Sequence, residues 1–93
     1  MAKLIKTDGT EMEVAPKNPR KGFTCAELYE LIGCETVESV GPNFKGELMI
    51  CDEEGKFKGL KVNQKATEWY WSSFGPYDVI LGNVVICNKR QFK

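Results

Sequence analysis

Two apolar runs along the chain predict the strands of a sheet. The first run, residues 48–51, is followed by the turn sequence Asp52-Glu53-Glu54-Gly55. In such a turn the aspartate can accept a hydrogen bond from the backbone two residues on, and the glycine can adopt a positive φ. The chain then returns through residues 56–60. The pattern predicts a central hairpin in which residues 46–51 pair with residues 56–60.

The second apolar run is nearly continuous and extends over residues 78–88. A strand that is apolar on both sides needs cover on both faces of its sheet, so this segment predicts a strand in the middle of the sheet. Residues 37–40 predict a shorter strand, which Gly41-Pro42-Asn43 brings to an end.

The N-terminal residues 3–14 predict another hairpin. Asp8-Gly9 is the pair that a two-residue type I′ turn prefers. Counting outward from that turn gives a register with one apolar and one charged face: Lys6 with Glu11, Ile5 with Met12, Leu4 with Glu13, and Lys3 with Val14. We also expect residues 3–6 to form a free sheet edge through which two copies can associate.

Both predicted helices begin at capping residues. Thr24 and Glu27 have the spacing of a capping box, and the apolar residues on either side of the cap, Phe23 and Leu28, have that of a hydrophobic staple. Gly33 ends this helix. The second helix begins after Asn63 and extends to about residue 72.

The second helix carries most of the aromatic residues. Helical spacing predicts that Ala66, Trp69 and Tyr70 share the buried face, with Thr67 and Trp71 on another face. The order of elements is then ββαβββαβ. The fold class is α+β, with a small, mostly antiparallel sheet of about five to six strands and two helices packed on it as one layer, in a single domain over residues 1–93.

Composition limits the possible functions. The chain has 13 Lys and Arg, 13 Asp and Glu, and no histidine. Without histidine, catalysis by serine–histidine or cysteine–histidine pairs is excluded. The zero net charge argues against nucleic acid as the main partner. No apolar run reaches the roughly 20 residues that a membrane span requires, and no secretion signal precedes the first strand. We expect a cytoplasmic protein.

The four cysteines indicate neither a disulfide framework nor a metal site. They stand at positions 25, 34, 51 and 87, with no C-x-x-C pair and no histidine to complete a zinc site. The acidic turn after residue 51 lacks the ligand spacing of a calcium loop. We therefore expect reduced cysteines that pack as small apolar residues, no metal and no cofactor.

Three segments resemble those of a family of small proteins, domain of unknown function 3846. Residues 51–60, followed by Asn63 and Ala66-Thr67, look like the family signature. Residues 28–33 are similar to its leucine–valine–glycine helix end, and residues 78–84 to its closing aspartate–x–isoleucine–x–glycine strand. The resemblance covers roughly residues 23–87. It implies a viral, phage or mobile-element origin and an intracellular setting, and it brings no activity or catalytic residue.

The candidate binding residues form two groups. Trp71, together with Phe74 or Tyr77, can mark a contact surface, since tryptophan with polar neighbours is typical of interfaces; the alternative is that all the aromatic side chains belong to the core. Lys17, Arg20 and Lys21 lie in a proline-rich loop, residues 16–22, that can bind an anion or a partner. The alternative for this loop is an ordinary solvated connection.

These observations favour a small non-enzymatic accessory protein of viral or phage type. We expect it to act in the host cytoplasm as an interaction module, with a protein partner or a second copy of itself. The alternative is a nucleic-acid-binding domain that combines the aromatic helix with three basic groups: residues 17–21, Lys56 with Lys58 and Lys61, and Lys89 with Arg90 and Lys93.

Overall fold

The computed structural model describes residues 2–92 as an antiparallel sheet with helices packed on it. The elements are β1 (Ala2–Ile5), β2 (Glu11–Val14), α1 (Cys25–Ile32), β3 (Val37–Val40), β4 (Glu47–Asp52), α2 (Gly55–Lys58), α3 (Gln64–Phe74) and β5 (Val84–Asn88). The strands lie in the order β2-β1-β5-β4-β3, and every neighbouring pair is antiparallel. The predicted fold class, α+β with helices on an antiparallel sheet, is confirmed.

The last strand occupies the centre of the sheet, as its apolar sequence predicted. It begins later than expected, at Val84, because residues 78–81 lie outside the sheet and run beside α3. There the backbone N–H of Ile80 donates to Thr67 Oγ1 at 2.9 Å. The segment that makes this bond covers Thr67, so Thr67 is buried, although the helical pattern had placed it away from the core face.

Helices cover both faces of the sheet, so the prediction of a single helical layer is wrong. On the α1 face, Leu28 and Ile32 pack on the sheet residues Leu4, Leu48, Ile50, Val85 and Cys87. On the α3 face, Ala66, with half-buried Trp69 and Tyr70, packs on Ile5, Met49, Cys51, Val84 and Ile86. The physical reason is that β4, like β5, is apolar on both sides and needs cover on both.

The N-terminal hairpin is confirmed, but its predicted register is wrong by one residue. Asp8 Oδ1 accepts the N–H of Thr10 at 2.8 Å, and Lys6 N–H donates to Thr10 O at 2.9 Å. These bonds produce a three-residue loop instead of a two-residue turn. Ile5 therefore pairs with Glu11, and Leu4 with Met12. β1 is also not an edge, since it pairs with β2 and β5; the edges are β2 and β3.

The prediction of a central hairpin is wrong as well. Residues 56–60 do not pair with β4, which lies between β3 and β5. Instead Gly55–Lys58 forms the short helix α2, which ends at Gly59 with a φ of 64°. Because β3 and β5 occupy both edges of β4, no edge is left for residues 56–60 to pair with.

The predicted helix caps are confirmed. Thr24 and Glu27 form both bonds of a capping box. Asn63 Oδ1 accepts the N–H of Ala66 at 3.1 Å, while its Nδ2 donates to the carbonyls of Ile5 and Gly82, both at 2.9 Å. Asn63 is almost fully buried. It therefore fixes the start of α3 to β1 and to the turn before β5. Within residues 2–92, no helix has the length and apolar character needed to cross a membrane.

Candidate functional site

A cavity of about 360 Å³ opens on the α3 face beside β3. It lies between β3, α2, α3 and residues 78–81, and we refer to it as the β3 cavity. Its apolar lining consists of Val40, Cys51, Phe57, Tyr70, Val79, Ile80 and Leu81. Cys51 and Ile80 are buried at its base, whereas the carboxylates of Glu38 and Glu53 belong to exposed residues. The cavity is therefore apolar inside and acidic toward solvent.

One wall is α2, which a buried aspartate holds in place. The side chain of Asp52 is 2% exposed; its Oδ1 accepts the N–H of Glu54, and its Oδ2 accepts Lys58 Nζ, both at 2.8 Å. The hydrogen bond from Lys58 to this carboxylate raises the pKa of the lysine. A Cβ atom at Gly55 would stand 3.4 Å from the carbonyl oxygen of Leu81, so this end of α2 lies beside residues 78–81. Phe57, in the middle of α2, points toward solvent.

The facing wall is the segment that contains Asp78. Lys56 Nζ donates to Asp78 Oδ1 at 2.6 Å, and this bond lowers the pKa of the Asp78 carboxyl. The same oxygen accepts the N–H of Val79 at 2.8 Å. The carbonyl of Asp78 accepts Trp71 Nε1 at 2.6 Å. The segment is thus connected to both α2 and α3.

Four exposed apolar side chains border these walls, and we call them the apolar rim: Phe57, Trp71, Tyr77 and Val79. Phe57 is 94% exposed, Tyr77 80% and Trp71 47%. Phe74 differs from them, because it is half-buried and its ring lies 6.0 Å from that of Trp69 and 5.3 Å from that of Tyr70. Of the predicted aromatic contact residues, two are exposed and Phe74 supports the end of α3.

The cavity presents a protonated thiol and apolar side chains. Burial raises the pKa of the Cys51 thiol to about 12, so the thiol is protonated at neutral pH and is not a nucleophilic thiolate. In the part of the chain that the structure describes, no three Cys, Asp or Glu side chains are placed to hold a metal ion. An apolar cavity with exposed aromatic residues at its border fits apolar side chains of another molecule.

A family comparison decides where this chain belongs. The family model described as Domain of unknown function (DUF3846) matches residues 2–92. The chain belongs to this family. No curated protein and no solved structure matches it. In this DUF3846 protein, both of the longer segments that carry the resemblance, residues 51–60 and 78–84, contribute side chains to the β3 cavity.

The basic loop lies away from the apolar rim. Lys17, Arg20 and Lys21 are exposed, and the loop leads into α1, on the opposite side of the sheet from α3. The N–H of Lys17 donates to Glu27 Oε2 at 2.9 Å. This bond and the cap at Thr24 lower the pKa of Glu27. The sequence did not show how the two groups of candidate residues lie relative to each other. The fold of this DUF3846 protein places the basic loop on the opposite side of the sheet from the aromatic helix.

The three basic groups do not all converge. Phe23 N–H donates to Gln91 O at 2.6 Å, which brings the loop at residues 16–22 beside Lys89 and Arg90. Lys56 and Lys58 instead pair with the carboxylates of the cavity walls. Lys93 lies outside the described residues.

Sequence reasoning missed Phe57 and the β3 cavity. It placed residue 57 in a strand of the central hairpin, where an aromatic side chain would be half-covered by its neighbours. One signal was available, because Gly55 and Gly59 bracket a lone aromatic residue between two lysines. That composition is typical of a short exposed turn.

Proposed function

We propose that this protein is a small, non-enzymatic interaction module of viral or phage type that acts in the host cytoplasm and binds a protein partner through the apolar rim. The observation that carries the proposal is that exposed Phe57 and Val79 line one cavity, while exposed Trp71 and Tyr77 lie next to its wall: Trp71 bonds to the carbonyl of Asp78, and Tyr77 precedes Asp78 in the chain. Aromatic side chains beside a cavity are the usual energetic centres of protein interfaces.

The rim is organised before a partner arrives. The Trp71 indole is held by its hydrogen bond to the carbonyl of Asp78, and the Asp78 carboxylate is held by Lys56. A fixed indole loses little conformational entropy on binding. Phe74 packs under the same helix end and limits its movement. Trp71 is therefore the residue on which we expect affinity to depend most.

The charge of the cavity indicates the chemistry of the partner. Among the described residues, the lining includes four carboxylates; those of Asp52 and Asp78 are paired with Lys58 and Lys56, so the net negative charge comes from Glu38 and Glu53. Opposite charge across an interface speeds association and excludes wrong partners. The preferred partner is a protein segment with one or two large apolar side chains flanked by Lys or Arg.

The test is affinity capture from host lysate, treated with nuclease and read by mass spectrometry, with the intact protein beside Trp71→Ala and Phe57→Ser. Phe44→Ser is the matched control, since Phe44 is 86% exposed and does not line the β3 cavity. We expect one dominant protein whose capture is lost with the two rim variants and retained with the control. Equal capture by all four proteins would contradict the proposal.

A second copy of this chain is the other possible protein partner. Both edges of the sheet, β2 and β3, can in principle add a strand, but β2 carries the exposed acids Glu11 and Glu13. Sedimentation at micromolar concentration measures self-association directly. A dimer that Trp71→Ala converts to a monomer would identify the partner as the protein itself.

A further inference from the structure

The connections at one end of the sheet form a cationic surface. They are residues 15–23 between β2 and α1, residues 41–46 between β3 and β4, and residues 89–92 after β5. None of the three segments contains Asp or Glu. Together they contain six cations: Lys17, Arg20, Lys21, Lys45, Lys89 and Arg90. All six residues are exposed, and we call this region the cationic end.

Main-chain contacts bring the three segments together. Phe23 N–H donates to Gln91 O at 2.6 Å, and a Cβ atom at Gly22 would stand 2.4 Å from that same carbonyl oxygen. Lys89 N–H donates to Gly46 O at 2.9 Å. The first segment therefore touches the third, and the third touches the second. The cations belong to one continuous surface rather than to separate loops.

Two carboxylates next to these segments, those of Glu27 and Glu47, accept hydrogen bonds from neutral groups. Glu27 accepts hydrogen bonds from the N–H groups of Lys17 and Thr24. Glu47 Oε1 accepts Asn43 Nδ2 at 3.0 Å. The ion pairs of Lys3, Lys56, Lys58 and Lys65 with Glu11, Asp78 and Asp52 all lie outside the cationic end. The three segments carry six cations and no Asp or Glu of their own, so the local charge at this end of the sheet is positive.

An aromatic ring stands among these cations. Phe44 is 86% exposed, and Lys45 Nζ lies 5.9 Å from the centre of its ring. The turn that presents it is fixed by Asn43, whose Oδ1 accepts the N–H groups of Lys45 and Glu47 and whose Nδ2 reaches Ser73 Oγ. An exposed phenylalanine among lysines is a platform on which an unpaired base can stack.

We propose that the cationic end binds single-stranded nucleic acid, with the phosphates on the lysines and arginines and a base stacked on Phe44. Charge complementarity identifies a polyanion. The aromatic ring favours a single strand, because bases in a duplex are already stacked. The protein measures 33 × 28 × 21 Å, so one end accommodates a short stretch of about four to six nucleotides. The residues that test this surface, Lys21, Phe44 and Arg90, are not those of the apolar rim, so either proposal can fail without the other.

The test is fluorescence anisotropy of a labelled 12-nucleotide oligo(dT) at salt concentrations from 20 to 200 mM. We expect binding that weakens with salt, with a log–log slope of about −2 to −4 for three to five phosphate contacts. Lys21→Glu combined with Arg90→Glu should weaken binding at least about 10-fold and flatten the slope. Phe44→Ser should weaken it about 5-fold or more at an unchanged slope.

Matched controls make the result specific. Lys61→Glu reverses one charge at an exposed position outside the cationic end, where the test variant reverses two, and should leave the affinity unchanged. Trp71→Ala should also leave it unchanged, which separates this test from that of the apolar rim. No binding at 20 mM salt would overturn the proposal. Equal weakening by Lys61→Glu, or binding to phosphatidylserine vesicles but not to the oligonucleotide, would overturn it as well. A thermal melt confirms that each variant is folded.

Discussion

The β3 cavity and the cationic end both contain several lysines, but their charges are balanced in different ways. At the cavity, Lys56 lies 2.6 Å from Asp78 and Lys58 lies 2.8 Å from Asp52. At the cationic end, the three connecting segments contain no acid at all. The net charge of zero therefore describes neither region. It is the sum over an acidic surface, whose lysines are in ion pairs, and a positive surface.

The two regions are also held together differently. Buried polar side chains, Asn63 and Asp52, position the walls of the cavity. At the cationic end, main-chain bonds and the close approach at Gly22 join the segments. Removal of a buried polar side chain should thus destabilise the cavity region most, whereas replacement of a closely packed glycine by alanine should destabilise the cationic end.

The largest expected effect is that of Asn63→Ala at the cavity side. The substitution leaves the buried carbonyls of Ile5 and Gly82 without a donor and removes the cap of α3. We expect a loss of about 4 kcal/mol in the free energy of unfolding, measured by urea denaturation. Asn18→Ala, in the basic loop, removes an exposed bond to Arg20 N–H and should cost less than about 1 kcal/mol. Similar losses for the two variants would contradict this difference.

Gly22→Ala should have the next largest effect. Its Cβ would stand 2.4 Å from Gln91 O at a φ of 78°, so the segments at residues 15–23 and 89–92 must move apart. We expect a loss of about 3 kcal/mol and weaker oligonucleotide binding. Gly9→Ala is the control, because its φ of 91° is similar but nothing lies within 4 Å of the new atom. It should cost only about 1 kcal/mol. If the two variants are equally stable, the close approach is absent.

Alkaline pH should destabilise the cavity region through Cys51. Burial raises the pKa of this thiol from 9.0 to about 12, so above pH 9 the unfolded chain releases a proton that the folded chain keeps. Stability is unaffected by this group below pH 9 and falls as pH rises from 9 toward 12, by about 1.4 kcal/mol per pH unit. Urea midpoints at pH 8, 9 and 10 should show a shallower decline in Cys51→Val. An identical decline would contradict the assignment.

The smallest effects on stability should come from the two most exposed phenylalanines. Phe57→Ser at the cavity and Phe44→Ser at the cationic end should each change the free energy of unfolding by less than about 0.5 kcal/mol. Their binding phenotypes should be opposite, with loss of the protein partner in the first and loss of the oligonucleotide in the second. A pair of variants that lose the same ligand would mean that the two regions act as one surface.

Local signals in the sequence predicted the helix starts and the central strand. The capping box at Thr24 and the cap at Asn63 depend on residues within three or four positions, so spacing alone reveals them. The position of β5 followed from its unbroken apolar run. The same reasoning applied to β4 would also have indicated helices on both faces, because β4 is apolar on both sides.

Side-chain bonds to the backbone explain the errors in the turns. Asp8 lengthened the first loop by one residue and shifted the register of the hairpin. The bond from Glu54 N–H to Asp52 Oδ1 was predicted, but Lys58 Nζ also donates to Asp52 Oδ2, and this second bond holds residues 55–58 in the helical turn α2. In both turns the aspartate side chain stabilises one of several turn geometries that the sequence allows.

The candidate binding residues could be predicted from the sequence only in part. Helical spacing separated Trp71 from the core face, and its indole is indeed half-exposed. Strand order brings the basic loop at residues 16–22 beside Lys89 and Arg90, and no local sequence pattern specifies strand order. The exposure of Phe57 was not predicted, because it depends on the structure of a turn that was predicted incorrectly. Whether any of these residues binds a partner stays a prediction.

The central position of β5 has a consequence for how the chain folds. β1 and β4 flank β5 and do not pair with each other, so residues 2–14 and residues 37–52 form two separate hairpins until residues 84–88 insert between them. The last strand in the sequence thus completes the sheet, and folding waits for contacts between the two ends of the chain. A nascent chain that has emerged only as far as α3 exposes two apolar strand edges, so we expect it to require protection by chaperones.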